Sequence, residues 1–141
     1  MRSGVGELMA SCYCGRVQLR AAYGAIGAAH CHCGQCRRLS GAPFSTYVTV
    51  GANAYTLSGG EHVVAFAATP NMTRHFCGRC GSHVYTSDRQ FPDSVGVSAG
   101  AITEQSLVRP ESHYFFSDKI EWCPVADDLP EFGGESGTQA L

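Results

Sequence analysis

The sequence predicts a mainly β domain of small antiparallel sheets with zinc knuckles and little helix. Three observations carry that expectation. Short alternating or β-branched runs recur along the chain, as half-buried strands require. Seventeen glycines and six prolines in 141 residues imply frequent turns between them. Seven of the eight cysteines sit in tight groups, Cys12/Cys14, Cys31/Cys33/Cys36 and Cys77/Cys80, the spacing of metal-binding knuckles.

Residues 1–10 read as a flexible lead-in, residues 11–132 as a single metal-binding domain, and residues 133–141, small and polar, as a flexible tail. Within the domain, Gly15–Ala22 alternates, with Val17 and Leu19 on one face and Gln18 and Arg20 on the other, and predicts a strand. Tyr23–Ala29 is a small, glycine-containing turn into the central cysteines. Gly34–Leu39 predicts one helical turn presenting Arg37 and Arg38, closed by Ser40-Gly41-Ala42-Pro43. Further strands are predicted over Phe44–Val50, Ala54–Leu57 and His62–Ala67, with a turn at Ser58-Gly59-Gly60. Met72–Cys77 leads into the second knuckle and His83–Thr86 leads out of it. Ser94–Ala99 alternates around Val95 and Val97, and His113–Ser117 is the last predicted strand. There is no long amphipathic helix, no internal repeat and no low-complexity segment.

The cysteine chemistry follows from spacing. Cys31, Cys33 and Cys36 form C-x-C-x-x-C, so three thiols can reach one ion, and zinc is the expected metal because it accepts soft thiolates tetrahedrally. Cys12/Cys14 with Cys77/Cys80 would complete a four-thiolate set, leaving Cys123 over. Spacing also allows Cys12/Cys14 to share an ion with Cys31/Cys33, leaving Cys36, Cys77 and Cys80 to the other. A disulfide framework is disfavoured, because C-x-C pairs suit a metal better and the opening residues contain no signal-like apolar run. The expectation is therefore a cytoplasmic chain.

Charge and hydropathy remove other classes. A net charge of −2 with no Lys/Arg cluster beyond Arg37–Arg38 gives no footprint for nucleic acid. No stretch is long and apolar enough to read as a transmembrane helix.

Taken together, the motifs resemble the glutathione-dependent formaldehyde-activating enzyme family, which includes centromere protein V. The matching pieces are Ser11-Cys12-Tyr13-Cys14-Gly15, the run from His30 to Arg37 with Ser40 to Phe44, and Thr73 to Gly81. Ser98-Ala99-Gly100, His113 to Trp122 and Asp128-Leu129-Pro130 follow in the family's order. The resemblance implies an Mss4-like fold, a carbon–sulfur lyase activity and two zinc ions. It assigns Cys12, Cys14, Cys77 and Cys80 to a structural site, and Cys31, Cys33 and Cys36 to a second, active site. The founding enzyme of the family is longer, with extra segments that shape its glutathione pocket, so the resemblance implies fold and metal more closely than substrate.

Three thiolates leave one coordination position for an outside ligand. They also make zinc a weak Lewis acid, so the expected ligand is an external thiol such as glutathione, held as the nucleophilic thiolate for reaction with formaldehyde or another small aldehyde. Glutathione carries two carboxylates, for which Arg37, Arg38 and Arg74 are the candidate cations. The competing expectation for each is an ordinary surface charge. His32, between two ligands, could complete the site, act on a proton or point to solvent, while His30 and His75 flank cysteines as candidate donors to sulfur. His83 and His113 are expected to be satisfied polar groups within strands. Cys123 is expected as a free thiol, or as a fourth ligand that would close the site. Trp122, Phe115 and Phe116 are expected to fill core or line a pocket. The alternative function is a non-catalytic zinc module for a protein partner or for glutathione carriage.

Overall fold

A computed structural model of the protein describes residues 6–23 and 27–141. Residues 1–5 of the expected lead-in, and residues 24–26 of the expected turn after Tyr23, lie outside the described residues. The chain divides into two compact units, Met1–Ile26 with Val48–Val108, and Gly27–Tyr47 with Arg109–Leu141. Each unit carries one of the principal cysteine groups.

In the first unit, β1 (Gly6–Ser11) pairs antiparallel with β2 (Gln18–Tyr23), and β2 pairs antiparallel with β5 (Tyr55–Ser58). The alternation around Val17 and Leu19 is realised: both are fully shielded while Gln18 and Arg20 are exposed. Strand β1 begins inside the stretch read as a lead-in and ends one residue beyond it. Its Leu8 and Ala10 are buried and Glu7 is exposed, so Glu7-Leu8-Met9-Ala10 alternates as a half-buried strand does. The expected turn at Ser58-Gly59-Gly60 is present. Gly59 has φ +74°, and a Cβ there would collide with the Arg16 carbonyl, so only glycine fits.

The same unit contains an antiparallel run of β6 (Val63–Ala67), β7 (Met72–Cys77), β8 (His83–Asp88) and β9 (Ser94–Ser98). The β7–β8 register shifts between His75 and Phe76, immediately before Cys77. Leu8, Val17, Leu19, Val48, Val84 and Val97 are fully buried, each worth about 1.5–3 kcal/mol of transfer free energy.

In the second unit, β3 (Gly27–Cys31) runs parallel to β10 (His113–Tyr114), with His113 opposite His30 and Tyr114 opposite Cys31. The one α-helix among the described residues, α1 (Gly34–Ser40), follows β3, and Gly41 caps it at φ 72° with its N–H on Arg37 O. Strand β4 (Ser45–Gly51) then carries the chain from the second unit into the first. β10 is shorter than the predicted His113–Ser117. Phe115 sits at φ 54°, left-handed geometry that breaks the extended run, and Phe116–Asp118 forms a 3-10 turn. In the stretch read as a tail, β11 (Phe132–Gly133) and β12 (Gln139–Ala140) form a small antiparallel pair.

Candidate metal centres

Cys12 follows β1, Cys14 lies in the turn beyond it, Cys77 ends β7, and Cys80 lies in the turn before β8. Their four sulfurs lie within 4.8 Å of one another. Cys12 Sγ is 3.6 Å from Cys14 Sγ, which is 3.8 Å from Cys77 Sγ. A tetrahedron with metal–sulfur bonds near 2.3 Å has sulfur–sulfur edges of roughly 3.8 Å, so the set fits a single ion. Disulfide sulfurs would lie at about 2.05 Å. The backbone supports charge on these sulfurs. Val17 N–H donates to Cys12 Sγ at 3.2 Å, and Arg79 N–H donates to Cys77 Sγ at 3.4 Å. The Ser82 hydroxyl, 3.2 Å from Cys80 Sγ, leads in drawing that thiol down to about 5, whereas burial pushes the Cys77 thiol up.

The second cluster is built in the other unit from one short stretch. Cys31 ends β3, Cys33 is the N-cap of α1, and Cys36 lies on the buried face of that helix. Cys36 N–H donates to Cys33 Sγ at 3.3 Å, so a ligand thiol also starts the helix. The three sulfurs again lie within 4.8 Å of one another, and no His, Cys, Asp or Glu among the described residues joins them as a fourth member. Tyr47 Oη lies 3.9 Å from Cys36 Sγ. Hydrogen bonding from Cys33 and Cys36, together with burial, raises the Cys31 thiol above its ordinary range. Three adjacent thiols resist joint ionisation, and a divalent cation among them would remove that resistance. Both clusters therefore suit a metal, and the grouping is Cys12, Cys14, Cys77 and Cys80 in one and Cys31, Cys33 and Cys36 in the other, not the mixed alternative.

The histidines depart from several expectations. His30 Nδ1 bonds the Thr46 hydroxyl at 2.7 Å, and His75 Nε2 bonds the Ser87 hydroxyl at 3.0 Å while its ring stacks on Tyr85. Their recorded partners are hydroxyls, not sulfurs. His83 Nδ1 bonds the Ser98 hydroxyl at 2.7 Å, the satisfied setting expected for it. Burial, with the nearby Arg74 charge second, lowers His83 to about 4. His32 does not point to solvent. It is fully buried, with Nε2 2.8 Å from His113 Nδ1, and His113 Nε2 lies 3.0 Å from each Asp127 oxygen. Burial, then His113, lowers His32 to about 4. His30, His113 and Asp127 also cluster within 4.8 Å, but the contacts of Asp127 to His113 have ordinary hydrogen-bond length. Sequence reasoning did not single out Asp127. Its partner lies 14 residues away, and no local pattern marks it.

Of the candidate cations, Arg37 and Arg38 occupy α1 beside Cys36, Arg38 exposed and Arg37 half-buried. A Cβ placed on Gly34 would meet Arg37 Nη2 at 3.7 Å, so that guanidinium folds back over the first turn of α1. Arg74 is only 3% exposed within β7 of the first unit, an internal setting next to His83. Cys123 is a free, half-buried thiol that belongs to neither cluster. Trp122, expected to fill core or line a pocket, is 68% exposed. Phe116 does pack, with its ring 5.2 Å from those of both His32 and His113.

The profile of the glutathione-dependent formaldehyde-activating enzyme family matches residues 7–118, a span that contains both clusters. The chain belongs to that family. Among its relatives is a Halomonas elongata protein named "Putative glutathione-dependent formaldehyde-activating enzyme", 29% identical over an alignment of 132 positions, with 84% of this chain and 80% of the relative covered. A crystal structure of a Rhodobacter sphaeroides protein shares the fold, with a TM-score of 0.58 at 21% identity over 72% of this chain and 91% of that one. The mainly β architecture of this formaldehyde-activating family member, with one short helix and two cysteine clusters, is the class the sequence predicts. No helix among the described residues is long and apolar enough to cross a membrane.

Proposed function

We propose that this protein is a zinc-dependent carbon–sulfur lyase-type enzyme of the cytoplasm that acts on the glutathione adduct of formaldehyde or another small aldehyde. The observation that carries this reading is the three-cysteine cluster, built on a helix start and lacking a fourth protein ligand among the described residues. Cys12, Cys14, Cys77 and Cys80 would hold one zinc as a closed, structural site. Cys31, Cys33 and Cys36 would hold the second. When bound there, zinc would keep an incoming thiol in its nucleophilic thiolate form.

The chain's residues then have two tasks. Cys33 and Cys36, fixed by the N-cap bond, set where the thiol is received. Arg38, exposed on α1, and Arg37, folded over its first turn, offer cations to the carboxylates of glutathione. Arg74, only 3% exposed, offers its charge to an outside ligand least of the three. In the reaction the thiol gives up its proton, a carbon–sulfur bond forms at the aldehyde carbon, and the carbonyl oxygen takes up a proton to give a hydroxymethyl thioether. The lyase direction is the reverse. Holding both partners in place lowers the entropic part of the barrier.

The test is exchange spectroscopy at equilibrium on glutathione and formaldehyde. The zinc-loaded protein should speed interconversion with the adduct, and Cys33→Ser should not. Glutathione binding with unchanged exchange would make the protein a carrier. Absence of glutathione binding would point to a module for a protein partner.

A further inference from the structure

Asp127, His113 and His32 are joined end to end in the second unit. Both Asp127 oxygens lie 3.0 Å from His113 Nε2, and His113 Nδ1 lies 2.8 Å from His32 Nε2. A carboxylate only accepts, so His113 carries its proton on Nε2. In the neutral ring Nδ1 is then bare, and it accepts from an Nε2–H on His32. One carboxylate thus sets the tautomer of both rings and leaves His32 Nδ1 unprotonated. That buried nitrogen has no hydrogen-bond partner among the described residues.

His32 is the single residue between Cys31 and Cys33. Its ring is held on three sides: by His113, by Phe44 at 4.9 Å and by Phe116 at 5.2 Å. Its N–H donates to Tyr114 O at 3.0 Å. A residue fixed in this way fixes the backbone that carries the sulfurs on either side of it. We propose that Asp127 and His113 are positioning residues for the Cys31–Cys33–Cys36 cluster, anchoring His32 so that the loop holds its thiols in a metal-binding arrangement. This rests on the reading above that the cluster takes zinc. Partners that orient the ligands of a metal without touching it typically govern its affinity by about 10–100-fold.

Asp127→Asn is the informative substitution. Asp127 Oδ1 accepts from Leu129 N–H at 3.1 Å and lies 3.0 Å from His113 Nε2, so an asparagine oxygen there would hold His113 through a neutral amide in place of a carboxylate. The carboxylate's charge is then lost from the chain, while each ring can keep its Nε2–H. Asp127 itself is 40% exposed at the surface, so the change removes little packing.

Zinc competition against a chromophoric chelator, on the full-length metal-loaded protein, resolves the affinity of each cluster. Asp127→Asn should weaken the three-cysteine site by about 10–100-fold and leave the four-cysteine site unchanged, which also reports that the variant is folded. Asp127→Glu, which retains the carboxylate, should keep most of the affinity. Nitrogen-15 spectra of the histidine rings should show His32 and His113 protonated on Nε2 in the parent, and rescue of the affinity by Asp127→Glu but not by Asp127→Asn separates a carboxylate's role from mere packing. Parental zinc affinity at both clusters in Asp127→Asn overturns the proposal, as does a His32 protonated on Nδ1 in the parent. A parent that binds zinc only at the four-cysteine cluster overturns the functional reading itself, and is recognised before any variant is made.

Discussion

The two cysteine clusters use similar chemistry on different scales of the chain. The four-cysteine cluster joins segments 63 positions apart, with Cys12 and Cys77 almost fully shielded. The three-cysteine cluster gathers its ligands from six consecutive positions, and Cys31 and Cys33 remain half-exposed. A metal at the first would fasten β1 to β7 within one unit, so its binding energy would be folding energy. A metal at the second would fasten a strand end to the helix that follows it, which the backbone already joins. The first cluster is thus suited to hold structure and the second to exchange a ligand.

The sharpest way to break this comparison is substitution. Cys77→Ser should abolish cooperative thermal unfolding, because structural zinc contributes on the order of 10 kcal/mol. Cys33→Ser should leave a folded protein with a modestly lower melting temperature. Circular dichroism melts of both variants check this, and equal losses would erase the distinction. A smaller effect is expected from chelation. A mild chelator should remove metal from the three-cysteine cluster first, with far-UV dichroism unchanged, and loss of both ions in one unfolding step would contradict it.

Acid acts on the unit that holds the four-cysteine cluster. His83 is held neutral, at about 4 against an ordinary 6.5, by burial and by Arg74. The unfolded chain therefore binds more protons than the folded one between those values. The contribution is fully present above about 6.5 and lost as pH falls towards 4, at no more than about 1.4 kcal/mol per pH unit. Melting temperature should fall over that window, and His83→Gln should flatten the fall. The smallest effect expected is at the three-cysteine cluster. Arg38→Ala should weaken glutathione binding by about fivefold at most, as an exposed ion pair is worth about 0.2–1 kcal/mol. Titration calorimetry checks the affinity, and atomic absorption should find the zinc content unchanged.

Legibility in the sequence followed distance along the chain. C-x-C-x-x-C is local, and its geometry is close to what its spacing implies. The strands around Val17/Leu19 and Val95/Val97 were readable because alternation is a local signal. The strand at Leu8 and Ala10 carried the same signal, obscured by its nearness to the N-terminus. β10 was overextended because nothing in His113–Ser117 marks Phe115 for a left-handed backbone, which glycine or asparagine would have done. The link from His32 to His113 spans 81 positions. Only the fold brings those rings together, and the character of His32 as a buried, tautomer-fixed ring depends on that link.

The 63-position gap within the four-cysteine cluster also orders events in time. During synthesis the C-x-C-x-x-C stretch leaves the ribosome with all its thiols before Cys77 exists, so it can take up an ion as soon as it emerges. The closed cluster must wait for Cys80, and its formation closes a long loop, the slow kind of contact in folding. In the interval Cys12 and Cys14 are an unpaired dithiol competing for metal with a complete trio downstream. The three-cysteine cluster therefore has its full set of thiols first and the four-cysteine cluster last.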